Sequence, residues 1–256
     1  MQMGFAFLAA VCAVLFAALT LRALWALRRP DAPGPAPGRG AQLRAMAAAL
    51  AFGVAVDLVF VAMALSQSPG VGWAEAVQRF FEHYSIDANH YMRIARYGYS
   101  AANTAFDEQE LMIVFFPLYP LLLRLVNPLG TFPWHLCGML LQLVLFPAGA
   151  GAYYRLAFRL LGPDRARWAL AFLLALPGSF FFFVPMSDSL FLLLVCGFFL
   201  LLLDDRALPA GVCGFLAAFC RSPGALLTGA AGALYLSALL CRKDRFRPRW
   251  LLPVLG

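Results

Sequence analysis

Long apolar runs alternate with short polar segments over most of the chain. A helix needs about 20 apolar residues to span a bilayer. Because a backbone in lipid must satisfy its own hydrogen bonds, each of these runs predicts a helix. The runs cover residues 3–27, 45–65, 136–154, 168–185, 190–203, 208–219 and 225–240. The pattern therefore predicts an all-α, polytopic integral membrane protein with about seven transmembrane helices.

The apolar segment at residues 113–126 is harder to assign, because Pro117 and Pro120 interrupt it. Proline inside a helix removes a backbone hydrogen bond and bends or breaks the helix. The loop at residues 155–167 contains four arginines and is predicted to be cytoplasmic. A single crossing by residues 136–154 already reaches that loop from the outside. We therefore interpret 113–126 as a juxtamembrane or half-inserted element that returns to the outer face.

The polar segments suggest a division of the chain. Residues 1–27 predict an additional N-terminal transmembrane helix, and residues 28–44, rich in Pro, Gly and Arg, predict a flexible cytoplasmic linker. Residues 45–256 form the main transmembrane domain, with one long external loop at 66–112. Within that loop, the apolar spacing predicts an amphipathic helix over residues 73–97 that lies on the membrane surface.

Composition supports a membrane location. Hydrophobic residues make up 62% of the 256 residues and charged residues only 13%, with a mean hydropathy of +0.77. Soluble domains have about 25% charged residues, which argues against a water-soluble fold. The net charge of +7 comes from cations near helix ends, where they orient the protein and contact anionic lipid rather than nucleic acid. The six cysteines form no C-x-x-C pair and are interpreted as structural thiols.

Polar residues near membrane depth are the first candidates for function, because they are costly there. In the external helix, Asp87, His90 and Tyr91 share one face, and Ile94 lies one turn further along it. Ile94 and Met92 are predicted to anchor the helix in the interface, with Asp87 at the water–lipid boundary. The alternative is a solvated amphipathic helix that binds no substrate.

A metal site is a less favoured interpretation of the same region. His83, Asp87 and His90 are spaced so that one helix face could carry three metal ligands. No fourth ligand is evident in the sequence. We therefore expect no metal.

Three further motifs are candidates for the same site. The run Phe-Phe-Pro-Leu-Tyr-Pro at residues 115–120 predicts either a kinked helix start or part of a groove for a lipid chain. In Ser187-Asp188-Ser189, Asp188 either caps the following helix or faces the same outer side as Asp87. Arg221, followed by Ser-Pro-Gly, lies between two apolar runs and requires an anionic partner, for which phosphate is suitable.

These four motifs, in this order, resemble those of the PIG-V-type mannosyltransferases of the GT-C class, which include the second mannosyltransferase of GPI-anchor assembly. The resemblance covers roughly residues 45–241 and rests mainly on the run that begins Asp87-Ala-Asn-His-Tyr-Met-Arg and on the Phe-Phe-Pro-Leu-Tyr-Pro run. This chain has Ile86 where the family usually has Trp, and Asp188 where it usually has Glu. The N-terminal helix is additional. Family members are longer, so we expect a C-terminal part to be missing.

The resemblance implies a GT-C-like fold and transfer of mannose, or another hexose, from a polyprenyl- or dolichyl-phosphate donor to a glycan or glycolipid acceptor. It implies Asp87 as the general base of an inverting reaction that uses no cofactor. We expect an extracytoplasmic site in a bacterial plasma membrane, with the ER membrane as the alternative. The residues expected to bind the substrates are His90, Tyr91, Arg93, Arg96, Tyr99, Pro117, Tyr119, Ser187, Asp188 and Arg221.

Two other functions remain open. A transporter would have ionisable residues at the bilayer midplane and usually repeated halves. Asp57 is the only acidic residue inside an apolar run, and no repeat is visible. A non-catalytic membrane subunit is the other alternative.

Overall fold

The computed structural model describes residues 34–84, 86–99 and 109–241. Within these ranges every regular element is an α-helix or a 3₁₀ helix, and no strand occurs. The prediction of an all-α fold is therefore confirmed for the described part of the chain. The predicted N-terminal helix at residues 3–27 and the first part of the predicted linker lie outside the described residues.

Nine α-helices and three short 3₁₀ helices make up the described part. The α-helices are α1 Arg39–Gln67, α2 Trp73–Tyr84, α3 Ile86–Tyr97, α4 Leu118–Val126, α5 Trp134–Leu161, α6 Pro163–Ala175, α7 Asp188–Leu203, α8 Ala207–Cys220 and α9 Leu226–Cys241. The 3₁₀ helices are Gln109–Val114, Pro177–Phe182 and Ser222–Ala225. Helix α5 lies at the centre, where it packs against α1, α6 and α7, and α7 in turn packs against α8.

Two of the described helices, α1 and α5, are long and apolar enough to cross a membrane. Helix α1 has 29 residues and a mean hydropathy of 2.4 in its most apolar window, yet only 22% of that window is buried in the protein. Helix α5 has 28 residues and a mean hydropathy of 1.6, and 61% of its window is buried. Apolar side chains that face outward in such number mark a surface that contacts lipid or another protein. Helix α1 is thus the better indication of a membrane location.

The crossing predicted at residues 168–185 is not a single helix. Helix α6 ends at Ala175, after only 13 residues, and Leu176 has an extended backbone with ψ of 135°. Pro177 has no backbone N–H and disfavours helical conformation in the residue before it. The chain continues as the 3₁₀ helix Pro177–Phe182.

Other helix bounds also differ from the predicted ones. Helix α5 continues through Arg155 to Leu161, so part of the predicted loop at 155–167 is helical. It ends at Gly162, whose φ of 85° is accessible to glycine at no steric cost. Helix α1 begins at Arg39, inside the segment interpreted as a flexible linker.

The amphipathic helix predicted over residues 73–97 is present as two helices, α2 and α3. The side-chain amide of Asn89 donates to the carbonyl oxygens of Phe81 (3.3 Å) and Glu82 (3.0 Å) in the last turn of α2. Carbonyls at a helix end have no partner within the helix, so these bonds stabilise the return of α3 against α2. The predicted anchoring of α3 in the interface is wrong, because Met92 and Ile94 are 5% and 4% exposed and pack inside the protein.

The segment at 113–126 contains no helix that could cross a bilayer. Helix α4 has nine residues, a length of about 14 Å, which is roughly half the thickness of the hydrocarbon core. Tyr119, Pro120 and Leu123 on this helix are buried against the protein. The interpretation of a half-inserted or juxtamembrane element stays a prediction.

Segments predicted to share one side of the membrane contact each other. The backbone N–H of Gly34 donates to the carbonyl of Arg159 (2.9 Å), and Asp204 accepts ion pairs from Arg159 and Arg155. All of these were predicted to be cytoplasmic. In a separate group of contacts, Tyr91 of α3 bonds Ser187 in the turn before α7, and Asp188 pairs with Arg221, which precedes the 3₁₀ helix Ser222–Ala225; these residues were all predicted to be external.

Candidate functional site

Tyr91 brings together motifs that are far apart in the sequence. Its hydroxyl shares a 2.8 Å hydrogen bond with the hydroxyl of Ser187. Its ring makes edge-to-face contacts with Phe115 and Tyr119, with centroids 5.2 and 5.4 Å apart. Such aromatic pairs contribute beyond the area that they bury. The face of α3 that carries Tyr91 therefore joins the aromatic run at 115–120 to the Ser-Asp-Ser motif.

The fourth motif joins the cluster through an ion pair. Nη1 of Arg221 bonds Oδ1 of Asp188, and both side chains are partly buried. Oδ2 of Asp188 is buried and has no hydrogen-bond partner among the described residues. The anionic partner that Arg221 requires is thus supplied by the protein itself. Ser187 is the N-cap of α7 and makes no side-chain capping bond, so Asp188 is the first helical residue and not the cap.

The electrostatics of Asp188 reflect its partial burial. It lies in the predicted external turn, before the apolar run at 190–203. Burial raises the pKa of Asp188 above its ordinary value, although the charge and hydrogen bond of Arg221 oppose this shift. The carboxylate of Asp87 raises the pKa of Asp188 further, as the smallest of these contributions. Burial also raises the pKa of Tyr91, so its hydroxyl remains protonated near neutral pH.

The segment that leads into Ser187 is held by Gln142, a residue that the sequence analysis did not single out. The side-chain amide of Gln142 donates to the carbonyl oxygens of Val184 (2.9 Å) and Met186 (2.6 Å). These carbonyls belong to non-helical backbone, which needs hydrogen-bond partners when it is buried. Gln142 is fully buried. An isolated amide in the middle of a long apolar run was the signal that could have identified it.

Two glycines allow the close approaches that shape the site. A Cβ on Gly138 of α5 would lie 2.5 Å from Cβ of Pro185, so glycine lets α5 contact the segment before Ser187. A Cβ on Gly224 would lie 2.2 Å from the backbone carbonyl of Ala217 in α8. The Arg-Ser-Pro-Gly motif therefore requires glycine at its last position. Its close packing on α8 holds Arg221 near Asp188.

The remaining predicted residues on this side lie around Tyr91. Asp87 is exposed in the first turn of α3, and no described residue forms an ion pair with it. The ring of His90 lies 4.8 Å from that of Phe115, and the hydroxyl of Tyr99 donates to the carbonyl of Phe115. Tyr119 is fully buried, and Pro117 precedes α4 as its N-cap.

Two predicted residues, Arg93 and Arg96, belong to a different surface. Each residue of a helix advances by about 100°, so these two arginines lie about 120° and 180° away from Asp87 around α3. They line a cavity with Asn89 and Trp134 that does not include Asp188 or Arg221. The structure therefore divides the predicted site into two groups on opposite sides of α3.

Two other interpretations of the sequence concern a groove for a lipid chain and a metal site. In the run at 115–120, Tyr119 and Pro120 are fully buried in the core, whereas residues 115–118 are half-buried, so the groove stays a prediction. An apolar cavity of about 400 Å³ lies elsewhere, between α1, α2 and the 3₁₀ helix Pro177–Phe182. Among the described residues, no three His, Cys, Asp or Glu side chains form a group suited to a metal ion, so the His83, Asp87 and His90 set does not assemble.

The side chains of four cysteines are described. Cys137, Cys196 and Cys220 are buried, Cys213 is half-buried, and all four are free thiols. Cys220 lies next to the site, with Sγ 3.7 Å from the carbonyl oxygen of Ser187. Comparison of the chain with family models, with curated proteins and with solved structures gives no match.

Proposed function

We propose that this chain is a multi-pass membrane glycosyltransferase of the GT-C type, with about seven transmembrane helices. It transfers a mannosyl or other hexosyl unit from a polyprenyl- or dolichyl-phosphate donor to a glycan or glycolipid acceptor. The site lies on the extracytoplasmic face of a bacterial plasma membrane, with the ER membrane as the alternative. Asp87 is the general base.

The convergence of the four motifs on Tyr91 is the observation that carries this proposal. The motifs were grouped by resemblance, yet Tyr91 contacts Phe115 and Ser187, and Asp188 pairs with Arg221. Polar residues that are held together beside apolar helices cost free energy, so a set of this kind indicates a functional role. The convergence therefore supports one functional site built from all four motifs.

Asp87 is suited to the role of base because it is exposed and in no ion pair with a described residue. In the proposed step, the acceptor hydroxyl transfers its proton to Asp87 while its oxygen attacks C1 of the hexosyl unit. The bond between C1 and the donor phosphate oxygen breaks, and its electron pair leaves with the phosphate. Attack from the opposite face inverts C1. The products are a glycoside and a polyprenyl or dolichyl phosphate, and Asp87 returns the proton to water.

Arg221 is the group proposed to stabilise the departing phosphate. Its side chain is 37% exposed while it is paired with Asp188, so it is accessible to a ligand. An arginine that a carboxylate already orients needs little reorganisation when negative charge develops near it. The roles of Asp87 and Asp188 thus differ, since one takes a proton and the other orients a cation.

The apolar cavity beside α2 is a suitable place for the lipid chain of the donor. Phe80, Tyr84, Phe181 and Val184 are among its lining residues. Tyr84 is three positions before Asp87, and Val184 is three positions before Ser187. The lining of the cavity thus comes from stretches of chain next to both segments that supply the proposed site.

Transfer of labelled mannose from polyprenyl-phosphate mannose, in membranes that contain the full chain, tests the proposal. Asp87→Asn is expected to lower the rate about 10²- to 10⁴-fold, the usual contribution of a positioned base. Asp164→Asn is the matched control, because Asp164 is also exposed in the first turn of a helix but lies at the start of α6. Equal rates for wild type and Asp87→Asn would exclude Asp87 as the base. Absence of transfer by a folded wild type would exclude the proposed donor.

A transporter is the second candidate, favoured by one observation. Oδ1 of Asp57, inside α1, is buried and has no hydrogen-bond partner among the described residues. Ionisable residues within spans are typical of transport pathways. The variant Asp57→Asn distinguishes the two functions. If the chain is a transferase that does not use Asp57, this variant transfers the sugar at the wild-type rate. Uptake of solute that depends on Asp57, without any transfer, would instead favour the transporter.

A further inference from the structure

A second polar cavity lies on the side of α3 away from Tyr91. It has a volume of about 590 Å³ and is enclosed by α2, α3 and the segment at residues 130–135. This volume is in the range of pockets that hold small molecules. The side chains that define its chemistry are Glu82, Asn89, Arg93, Arg96, Trp134 and His135. None of these residues takes part in the cluster around Asp188.

The α3 side of this cavity is fixed by a hydrogen-bond network around Asn89. Its side-chain amide donates to the carbonyls of Phe81 and Glu82, and its Oδ1 accepts from Nε2 of His135 at 2.9 Å. His135 is 5% exposed, and its ring is stacked parallel to that of Phe81 with centroids 6.0 Å apart. The polar wall therefore exists before any ligand arrives, which lowers the entropy cost of binding.

The opposite wall is fixed in a similar way by Asn127. Its side-chain amide donates to the carbonyl of Phe132 (2.9 Å), and its Oδ1 accepts from the backbone N–H of the same residue (3.4 Å). The N–H of Gly130 also donates to the carbonyl of Asn127 at 3.1 Å. Asn127 is only 4% exposed. The loop that carries Phe132 and Trp134 to the cavity is thus held by a buried side chain.

The charge of the lining favours an anion. Arg93 and Arg96 contribute two cations, and among the described lining residues Glu82 contributes the one carboxylate, which accepts a hydrogen bond from Gln78 at 2.9 Å. The guanidinium of Arg96 lies 4.8 Å above the ring of Tyr97, which limits its orientation. Arginine's planar fork pairs well with the oxygens of a phosphate.

The rest of the lining favours a hydroxyl-rich group beside that anion. The amide of Gln78, the carboxylate of Glu82 and the hydroxyl of Thr131 can exchange hydrogen bonds with hydroxyls. The aromatic faces of Phe132 and Trp134 supply the apolar part of the wall. Pockets of this kind combine apolar walls with a few oriented polar groups.

We infer that this cavity binds a phosphate-bearing sugar or polyol, with Arg93 and Arg96 on the phosphate and Glu82 and Trp134 on the hydroxylated part. The inference does not rest on the proposed transferase activity. The same chemistry is present in a soluble sugar phosphate and in the headgroup of an anionic phospholipid, and the experiment distinguishes these two sources.

The test is calorimetric titration of the full chain in phosphatidylcholine nanodiscs with mannose 1-phosphate, mannose and inorganic phosphate. Mannose 1-phosphate is expected to bind more tightly than either fragment. Arg93→Gln and Arg96→Gln are each expected to weaken its binding about tenfold or more, the effect of losing a charge-assisted hydrogen bond. Arg96→Lys retains the charge without the planar fork and is expected to be intermediate. Arg79→Gln is the matched control, because Arg79 is an exposed arginine of α2 outside the cavity.

A second titration, in nanodiscs that also contain phosphatidylglycerol, identifies the source of the ligand. Weaker binding of mannose 1-phosphate there, restored in phosphatidylcholine alone, assigns the cavity to a lipid headgroup. Unchanged binding assigns it to a soluble ligand. The inference is overturned if mannose 1-phosphate does not bind to the folded wild type, or if the Arg93 and Arg96 variants bind it as tightly as Arg79→Gln.

Discussion

The hydroxyl groups of Tyr91 and Ser187 lie 2.8 Å apart, although 96 positions separate the two residues in the chain. Tyr91 is in the polar helix α3, and Ser187 ends a non-helical segment just before an apolar helix. Both residues are buried. This bond therefore connects α3 to the helix bundle at the point where the polar cluster forms.

Removal of this bond is expected to weaken the attachment of α3. Tyr91→Phe removes one hydroxyl and leaves that of Ser187 buried without its partner, which costs about 1–3 kcal/mol of unfolding free energy. Tyr153→Phe is the control, because Tyr153 lies in α5, outside this cluster. Thermal unfolding of the two purified variants measures the difference. Equal unfolding temperatures would show that the bond contributes nothing.

Arg221 and Asp188 are expected to be energetically coupled. Arg221→Gln leaves a partly buried carboxylate without its cation, whereas Asp188→Asn leaves an arginine whose side chain is 37% exposed and can be hydrated. We therefore expect Arg221→Gln to destabilise the protein more than Asp188→Asn does. The double variant is expected to lose less than the sum of the two, with a coupling of roughly 0.5–3 kcal/mol. Strict additivity in this cycle would mean that the pair does not interact.

The raised pKa of Asp188 predicts a specific pH dependence of stability. The native state holds this proton more tightly than the unfolded chain does, so stability falls as pH rises. The contribution is fully present below about pH 4, the ordinary range of an aspartate, and is lost as pH rises through the raised native pKa. In an Arg221→Gln background the loss should extend to higher pH, because Arg221 lowers this pKa.

Unfolding temperatures of wild type and Asp188→Asn, compared across this pH range, isolate the contribution of Asp188. The variant cannot titrate at this position, so the unfolding temperature of the wild type should fall relative to that of Asp188→Asn as pH increases. A rise of the wild-type unfolding temperature relative to that of the variant would contradict the burial of this carboxyl group.

Gly224 is expected to tolerate no side chain. In Gly224→Ala the new Cβ would overlap the backbone of Ala217, which cannot move as a flexible side chain can. Overpacking of this kind costs about 1–3 kcal/mol and displaces Arg221 from Asp188. Gly229→Ala in α9 is the control, since nothing lies within 4 Å of its Cβ position and alanine favours a helix. Thermal unfolding should move in opposite directions for the two variants.

The apolar runs predicted most helices correctly. This is because burial or contact with lipid, rather than local helix propensity, determines where these helices form. The runs at 190–203 and 208–219 became α7 and α8 with nearly the same bounds. The run at 168–185 failed, because Pro177 decides the local backbone whatever the hydropathy around it. Apolar content alone does not reveal where a helix breaks.

The candidate site was predictable only in part. Motif order correctly grouped Tyr91 with Ser187, but it also included Arg93 and Arg96, which helical periodicity puts on another face of α3. The pairing of Arg221 with Asp188 depends on how α7 and α8 pack, and no local pattern in the sequence carries that information.

The short helices of the bundle have a consequence for the surrounding lipid. Helices α6 and α8 have 13 and 14 residues, or about 20 Å each, whereas the hydrocarbon core is about 30 Å thick. Helix α1, with 29 residues, exceeds that thickness. In the multi-pass arrangement proposed above, this hydrophobic mismatch would be relieved by tilt of α1 and by local thinning beside α6 and α8. Acyl-chain length would then set how deeply the Tyr91 cluster lies relative to the headgroups.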